Sequence, residues 1–275
     1  MHIGEAPPNG PQGRVLIIAG SDSGGGAGIQ GDIKTVTALR GYAATAVTAL
    51  TAQNTLGVFA IHDVPCDFIA SQINLVLDDI GADAFKTGML HTAEVIETVA
   101  AQLAPHTGHI PLVLDPVMFA KGGAALLQPD ALTVLKESLI PLAHIVTPNI
   151  PEAEFLSGIT IDSTASMRAA AERILAMGCQ AVLMKGGHRE GEIVSDLLVT
   201  THDTVHFEHA RLHTRHTHGT GCALASAIAT GLAQGMPLAP SVRRARDYVL
   251  AAINHAPGFG KGHGPLGHAH TIREL

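Results

Sequence analysis

The 275 residues suffice for one large domain or two small ones, because α/β folds often run to about 250 residues as a single unit. Hydrophobic residues make up 46% and charged residues only 15%, against roughly 25% charged in an average globular protein, so the chain is core-rich and not disordered. Seventeen Lys and Arg against 24 Asp and Glu leave a net charge of −7 without any block of like charges, which argues against a nucleic-acid partner.

A Pro- and Gly-rich arm, Met1 to Gly13, is expected to be mobile. From there, short apolar runs alternate with helical patterns. Strands are predicted at Val15 to Ala19, Ala44 to Leu50, Val58 to Ile61, Ala84 to Thr87, Pro111 to Leu114, Ile145 to Thr147, Ala181 to Met184 and Leu197 to Thr200. Ile29, Ile33, Val36 and Leu39 keep helical spacing, as do Ile69, Ile73, Val76, Leu77 and Ile80. Most of the strands lack period-two alternation, so both of their faces are expected to be buried. Repeated strand-helix-strand units of this kind predict one α/β domain, residues 14–275, with a mostly parallel sheet covered by helices on both sides. No apolar stretch approaches 18 residues and no basic leader precedes the first strand, so neither a signal peptide nor a membrane span is expected. Cys66, Cys179 and Cys222 lie far apart without a C-x-x-C pair and read as reduced thiols of a cytoplasmic protein.

In parallel sheets ligands gather outside the carboxyl ends of the strands, and the unusual sequences here follow strands. The first strand runs into Gly20-Ser21-Asp22-Ser23-Gly24-Gly25-Gly26-Ala27-Gly28, a glycine density suited to sharp bends or close backbone approach. A G-x-G-x-x-G pattern at Gly26, Gly28 and Gly31 raises a dinucleotide reading, but no Asp or Glu between Asp32 and Asp63 could hold a ribose. There is no P-loop signature. His218-Gly219-Thr220-Gly221-Cys222 precedes a run of small helix-forming residues and suggests a helix start whose free amides bind phosphate. Cys222 in that first turn would have a lowered thiol pKa and could act as base or nucleophile; alternatively it is a small buried hydrophobe.

Asn149 and Glu152, after the strand ending at Thr147, either hold Mg²⁺ through hard oxygens or form a helix capping box. Asp115 ends the apolar run Leu112-Val113-Leu114, where a carboxylate serves metal or phosphate chemistry or simply a turn. Lys185, between Val182-Leu183-Met184 and Gly186-Gly187, is placed to neutralise a transferred phosphate. The 17 histidines invite a zinc reading, yet H-E-x-x-H, paired cysteines and finger spacing are all missing. G-x-S-x-G is missing too, which disfavours a serine hydrolase.

Six blocks occur in order: Ala19 to Gln30, Thr51 to Thr55, Lys86 to Leu90, Thr147 to Ala153, Met184 to His188 and Thr217 to Cys222. Together they resemble the bacterial hydroxymethylpyrimidine/phosphomethylpyrimidine kinases, the thiamine-biosynthetic branch of the ribokinase superfamily, from about Arg14 to the tail. The resemblance implies a three-layer α/β/α sandwich, a homodimer, and ATP- and Mg²⁺-dependent phosphorylation of 4-amino-5-hydroxymethyl-2-methylpyrimidine to the monophosphate and then the diphosphate. It further implies that Gln53 recognises the pyrimidine edge, with Gly20, Asp32 and Met89 around the ring and Val117 behind it. Asn149 and Glu152 match the family's magnesium-water motif, with Asp115 nearby. Lys185 meets the ATP phosphates, the amides of Gly219, Thr220, Gly221 and Cys222 form the anion hole, Cys222 stands where sugar kinases carry a basic aspartate, and Lys261 belongs to a tail block near the nucleotide. One departure is Ser23, where many relatives carry proline, which puts the order of the first loop in question.

Three readings compete. A pyridoxal kinase shares the fold and the phosphate-binding parts, and Gln53, with donor and acceptor on one amide, is the discriminator. An acyl transferase would use Cys222 as nucleophile without ATP or Mg²⁺. A ligand-binding regulator would bind the pyrimidine without turnover.

Overall fold

The computed structural model describes residues 12–188 and 191–272. The predicted mobile arm therefore lies almost wholly outside the described residues; within them, the Gln12 amide donates to the Arg40 carbonyl at 2.7 Å.

Nine strands form one sheet: β1 (Arg14–Asp22), β2 (Tyr42–Asn54), β3 (Gly57–Asp63), β4 (Ala84–Thr87), β5 (Leu112–Leu114), β6 (Ile145–Val146), β7 (Ala181–Met184), β8 (Ile193–Thr200) and β9 (Thr204–Ala210), in the order β3-β2-β1-β4-β5-β6-β7-β8-β9. The run from β2 through β7 is parallel. The pairings β2/β3, β7/β8 and β8/β9 at the two edges are antiparallel. The sheet is thus mostly parallel, as its unbroken apolar strands predict. All eight predicted strands are present, β1, β2, β3 and β8 longer than expected. Strand β9 was not anticipated: Thr204-Val-His-Phe-Glu-His-Ala210 is an edge strand with a largely polar face, and its apolar content is too low to stand out.

The helices are α1 (Gly28–Ala38), α2 (Cys66–Asp79), α3 (Ala93–Leu103), α4 (Ala131–Val134, continued by a π turn over Leu135–Leu139), α5 (Ile150–Ser157), α6 (Thr164–Leu175), α7 (Thr220–Ala233) and α8 (Leu238–Asn254). They cover both faces. Along β1 the side chains alternate between two cores: Leu16 and Ile18 join Ile69, Ile73, Val95, Ile96, Met167 and Ile174 from α2, α3 and α6. Val15, Ile17 and Ala19 face the other way, into Val36 of α1 and Leu224, Ile228, Val242 and Val249 of α7 and α8. This is the expected three-layer α/β/α arrangement, and it explains why the strands read as continuous apolar runs. No helix among the described residues is long and apolar enough to cross a membrane, and all three cysteines are free.

Because β1, β4, β5, β6 and β7 run parallel, their carboxyl ends emerge on one side of the sheet. There they deliver Gly20, Gly88, Asp115, Asn149 and Lys185 to neighbouring positions. An isolated parallel bridge between Asn149 and Lys185 extends the β6/β7 ladder one step into the loops.

Leu16 is fully buried at the centre of the sheet. Leu16→Ala is expected to lower the unfolding free energy by about 2–5 kcal/mol, read from urea denaturation with an unchanged m-value.

Candidate active site at the strand carboxyl ends

A cavity of about 750 Å³ lies over those strand ends. Its wall includes Gly20, Gln53, Met89, Asp115, Val117, Asn149, Glu152, Lys185, Gly219, Thr220, Gly221 and Cys222, so most of the residues singled out from the sequence meet in one place.

The helix α7 opens on this cavity. Its N-cap, Gly219, adopts φ +85° and no side chain caps the helix, so the first-turn amides lack intrahelical partners, although that of Thr220 reaches back to the Thr217 carbonyl at 3.4 Å. A Cβ at Gly219 would overlap the Gly26 carbonyl, which makes glycine obligatory there. Gly221 brings the same turn against the charges: a Cβ built on it would lie 3.3 Å from Lys185 Nζ and 3.6 Å from Asp115 Oδ2.

Those charges form a cluster. Lys185 Nζ is 2.9 Å from Asp115 Oδ1 and 4.0 Å from Glu152 Oε2, and the Thr147 hydroxyl donates to Asp115 Oδ1 at 3.2 Å. Burial opposes the charge on Lys185, but Asp115 and Glu152 outweigh it and hold the ammonium's pKa above its ordinary value. Glu152 moves the other way. Burial, with Asp115 adding to it and Lys185 opposing, pushes its carboxyl up to about 7.

The two readings of Asn149 and Glu152 are both realised in part. The Glu152 amide donates to Asn149 Oδ1 at 3.0 Å and the Asn149 amide donates to Glu152 Oε2 at 2.8 Å, a full capping box that starts α5. The box pins both side chains at the cavity wall. Asp115 and Glu152 carry two negative charges against the single ammonium of Lys185, and all the donors are hard oxygens. That surplus suits a divalent cation bound partly through water.

Three expectations are corrected. Asp32 does not border the cavity: it is fully buried, with Oδ2 2.7 Å from Lys86 Nζ and Oδ1 accepting from the Ser226 hydroxyl at 2.7 Å. A carboxylate so committed behind the wall cannot touch a ring in front of it, and Lys86 stands between. Lys261 is exposed and does not line the cavity, whereas His263, two positions on, does. The tail is drawn to Thr55, whose carbonyl accepts the His263 amide at 2.9 Å. Cys222 is half-buried at the start of α7, yet its thiol is not activated. Burial pushes it up to about 12, Asp32 and Asp115 adding to the rise and Lys86 opposing it.

Sequence reasoning missed several wall residues. Asp22, Thr51, Lys86 and His218 line the cavity, and so do Asp196, His209, Arg246, Val249 and Ile253. There the Arg246 Nε donates to Asp196 Oδ2 at 2.8 Å and Asp196 Oδ1 accepts the Gly186 amide at 2.8 Å, which steadies the loop directly after Lys185. Asp196 and Arg246 are 50 residues apart and carry no local signal; Asp22 and His218 sit inside motifs already noticed. Ser23 takes over part of a proline's ordering role, since its hydroxyl donates to the Gln53 carbonyl at 2.9 Å and accepts the Gln53 amide at 2.8 Å.

The family model of phosphomethylpyrimidine kinase matches residues 22–267. The chain belongs to the phosphomethylpyrimidine kinase family. It is 45% identical to the hydroxymethylpyrimidine/phosphomethylpyrimidine kinase of Bacillus subtilis, over 93% of this chain and 94% of that protein. It is 52% identical to the thiamine biosynthesis bifunctional protein ThiED of Geobacter sulfurreducens over 94% of this chain, which spans only about half (52%) of that longer protein. Among solved structures, an ADP complex of Bacillus subtilis pyridoxal kinase superposes with a TM-score of 0.87 at 35% identity, covering 94% of this chain and 98% of the other. A phosphomethylpyrimidine kinase from Clostridium difficile superposes with a TM-score of 0.78 at 43% identity, covering 87% and 99%.

The folded-state pKa of Glu152, about 7, exceeds its ordinary 4.5. The folded chain then binds more protons than the unfolded chain in that window, so stability contributed by protonated Glu152 is present below about pH 4.5 and lost as pH rises through about 7. Thermal melts from pH 4.5 to 8 without divalent cations are expected to show that decline, and Glu152→Gln is expected to flatten it.

Proposed function

We propose that this chain transfers the γ-phosphoryl group of ATP to the hydroxymethyl oxygen of 4-amino-5-hydroxymethyl-2-methylpyrimidine, and in a second turnover to the resulting monophosphate. The observation that carries this reading is the convergence on one cavity of the open α7 start, Lys185 and the Asp115/Glu152 carboxylates, with the Gln53 carboxamide at the acceptor end. The kinases named among its relatives support the substrate class, and the ADP complex of the pyridoxal kinase supports the nucleotide.

Phosphoryl transfer asks little covalent work of the protein. It needs in-line positioning and fixed positive charge and dipoles where negative charge spreads. The amides of Gly219 to Cys222 and the α7 dipole face the transferred group, and Lys185 neutralises it. Asn149, Glu152 and Asp115 would hold Mg²⁺, which when bound neutralises phosphate charge. As the acceptor oxygen bonds to phosphorus and the bond to the departing ADP breaks, the hydroxymethyl proton passes to an oxygen of the transferred phosphoryl group or to water; in the second turnover the monophosphate attacks through an oxygen that is already anionic. With its thiol held protonated in the resting site, Cys222 serves first to orient the acceptor hydroxyl; a loose transition state needs only weak base assistance. The same glycine-lined acceptor end accommodates the phosphate that the second substrate already carries.

We further place the enzyme in the cytoplasm and propose a homodimer. Phe59 on the edge strand β3 and Phe68 and Leu75 on α2 are 60–70% exposed, and apolar surface of this kind favours a partner. Light scattering is expected to give twice the chain mass, and Phe59→Glu to shift it toward the monomer; a monomeric native protein overturns the dimer.

The deciding assay offers ATP and Mg²⁺ with hydroxymethylpyrimidine and pyridoxal in parallel and resolves mono- and diphosphates. Pyrimidine diphosphate is expected; phosphorylation of pyridoxal alone overturns the substrate and keeps the kinase. Lys185→Met is expected to lower kcat about 100-fold or more, as for loss of one transition-state charge contact, with a smaller change in KM. Cys222→Ala is expected to lower kcat more than it raises KM, and near-normal turnover of that variant overturns its orienting role.

A further inference from the structure

The two glycine-rich loops meet at a polar couple that phosphoryl transfer does not itself use. Asp22, at the end of β1, is buried, and its Oδ2 lies 2.8 Å from His218 Nε2. The same carboxylate accepts the amides of Gly24, Gly26 and Ala27 at 2.8, 3.1 and 2.9 Å. Burial favours the neutral acid here, but His218 and the amides outweigh it and keep Asp22 below the usual carboxylate range. An ionised carboxylate only accepts, so His218 carries its hydrogen on Nε2 and donates it to Asp22.

This hydrogen constrains Gln53. The Gln53 carboxamide touches His218 Nε2 at one end, 3.4 Å away, and Thr51 Oγ1 at the other, 3.1 Å away. Thr51 has a single hydroxyl hydrogen, which can go to the Ser21 carbonyl at 2.9 Å or to the Gln53 carboxamide at 3.1 Å, so Thr51 admits either orientation of the amide. His218 does not: its Nε2 hydrogen is directed at Asp22 and leaves no lone pair for an amide N–H, so the Gln53 atom facing it is the oxygen, which takes only a minor share of that hydrogen, and the atom facing Thr51 is the nitrogen, which donates. As placed, the amide turns its Nε2 toward His218 and sets N–H against N–H. The hydrogen count reverses it, with nitrogen toward Thr51 and oxygen toward His218; the two ends of a carboxamide have nearly the same shape and are assigned by their partners. The backbone of Gln53 is already clamped on both sides by the Ser23 hydroxyl, so the orientation of the amide is the freedom left to settle.

We propose that Asp22 and His218 are a positioning couple that fixes the orientation of the Gln53 carboxamide, and so the order in which donor and acceptor are offered to the pyrimidine ring. With its nitrogen toward Thr51 and its oxygen toward His218, the amide keeps one N–H and an oxygen lone pair for the cavity. An aminopyrimidine edge presents a ring-nitrogen acceptor beside an amino donor, and matches that pair in one order only. Without the Asp22-bound hydrogen on His218, the amide samples both orders and the ring loses part of its recognition. The proposal rests on the reading of Gln53 as the ring contact.

The test is steady-state kinetics on the full-length protein with KM for hydroxymethylpyrimidine and for ATP determined separately. His218→Leu is expected to raise the pyrimidine KM about tenfold, the size of one hydrogen bond, with the ATP KM changed less than about twofold. His218→Gln, which returns an N–H donor, is expected to recover most of the loss. In a Gln53→Ala background, His218→Leu is expected to add little. Asp22→Asn keeps the shape of the couple and gives the same selective rise, and it stands in should the leucine variant fail to fold. Equal increases in both KM values, no increase, no recovery with glutamine, or full additivity with Gln53→Ala overturns the couple. Gln53→Ala with an unchanged pyrimidine KM overturns the Gln53 reading instead, so the two failures are told apart.

Discussion

The site depends on a contact between two pieces of backbone. Gly219 caps α7 in a left-handed conformation with its Cα against the carbonyl of Gly26, where no side chain fits. One glycine-rich loop follows β1 and the other precedes α7, nearly two hundred residues later. Their approach aims the free amides of the helix at the space above the sheet. Gly26 sustains the contact from its own side, because a Cβ there would meet the ring of His218. Glycine at these two positions thus lets the open start of α7 pack directly against the loop that follows β1.

Around that contact, two lysines at strand ends play different parts. Lys86 is buried with Asp32 and Ser226 in a compensated group that has no charge to spare. Its Coulomb gain goes into offsetting desolvation, so it contributes position more than stability. Lys185, one hundred residues on, faces two carboxylates and remains in contact with the cavity. Burial first, and Asp115 beside it, is why Glu152 keeps its proton toward neutrality. A surplus of carboxylates over ammonium is costly for the empty fold and suits a cation. Binding energy and stability are in opposition at that corner.

Legibility from sequence followed the locality of the signal. Asp115, Asn149, Glu152 and Lys185 were readable because each follows an apolar run, and parallel strands end on one side. The capping box was readable for the same reason, being complete within four residues. Asp32 misled because it lies in α1 directly after the glycine-rich loop, yet the helix turns it inward to Lys86 on β4, a pairing without local trace. Lys261 misled through its glycine-rich surroundings: Gly260 and Gly262 serve close approach to Thr55, and the lysine between them points to solvent. For Cys222 the helix start was correctly placed, but its dipole does not outweigh the loss of water around the thiol.

The sequence by itself determined the layered α/β architecture, since continuous apolar strands spaced by amphipathic helices leave few other ways to bury both faces of a sheet. It also determined the chemical inventory, because loop glycines and strand-end charges are local choices. Which of those groups face one another was decided only by tertiary structure. Partners such as Asp22 and His218, Lys86 and Asp32, or Asp196 and Arg246 are far apart in the chain, and their protonation follows from burial and neighbours that exist only once the sheet has assembled.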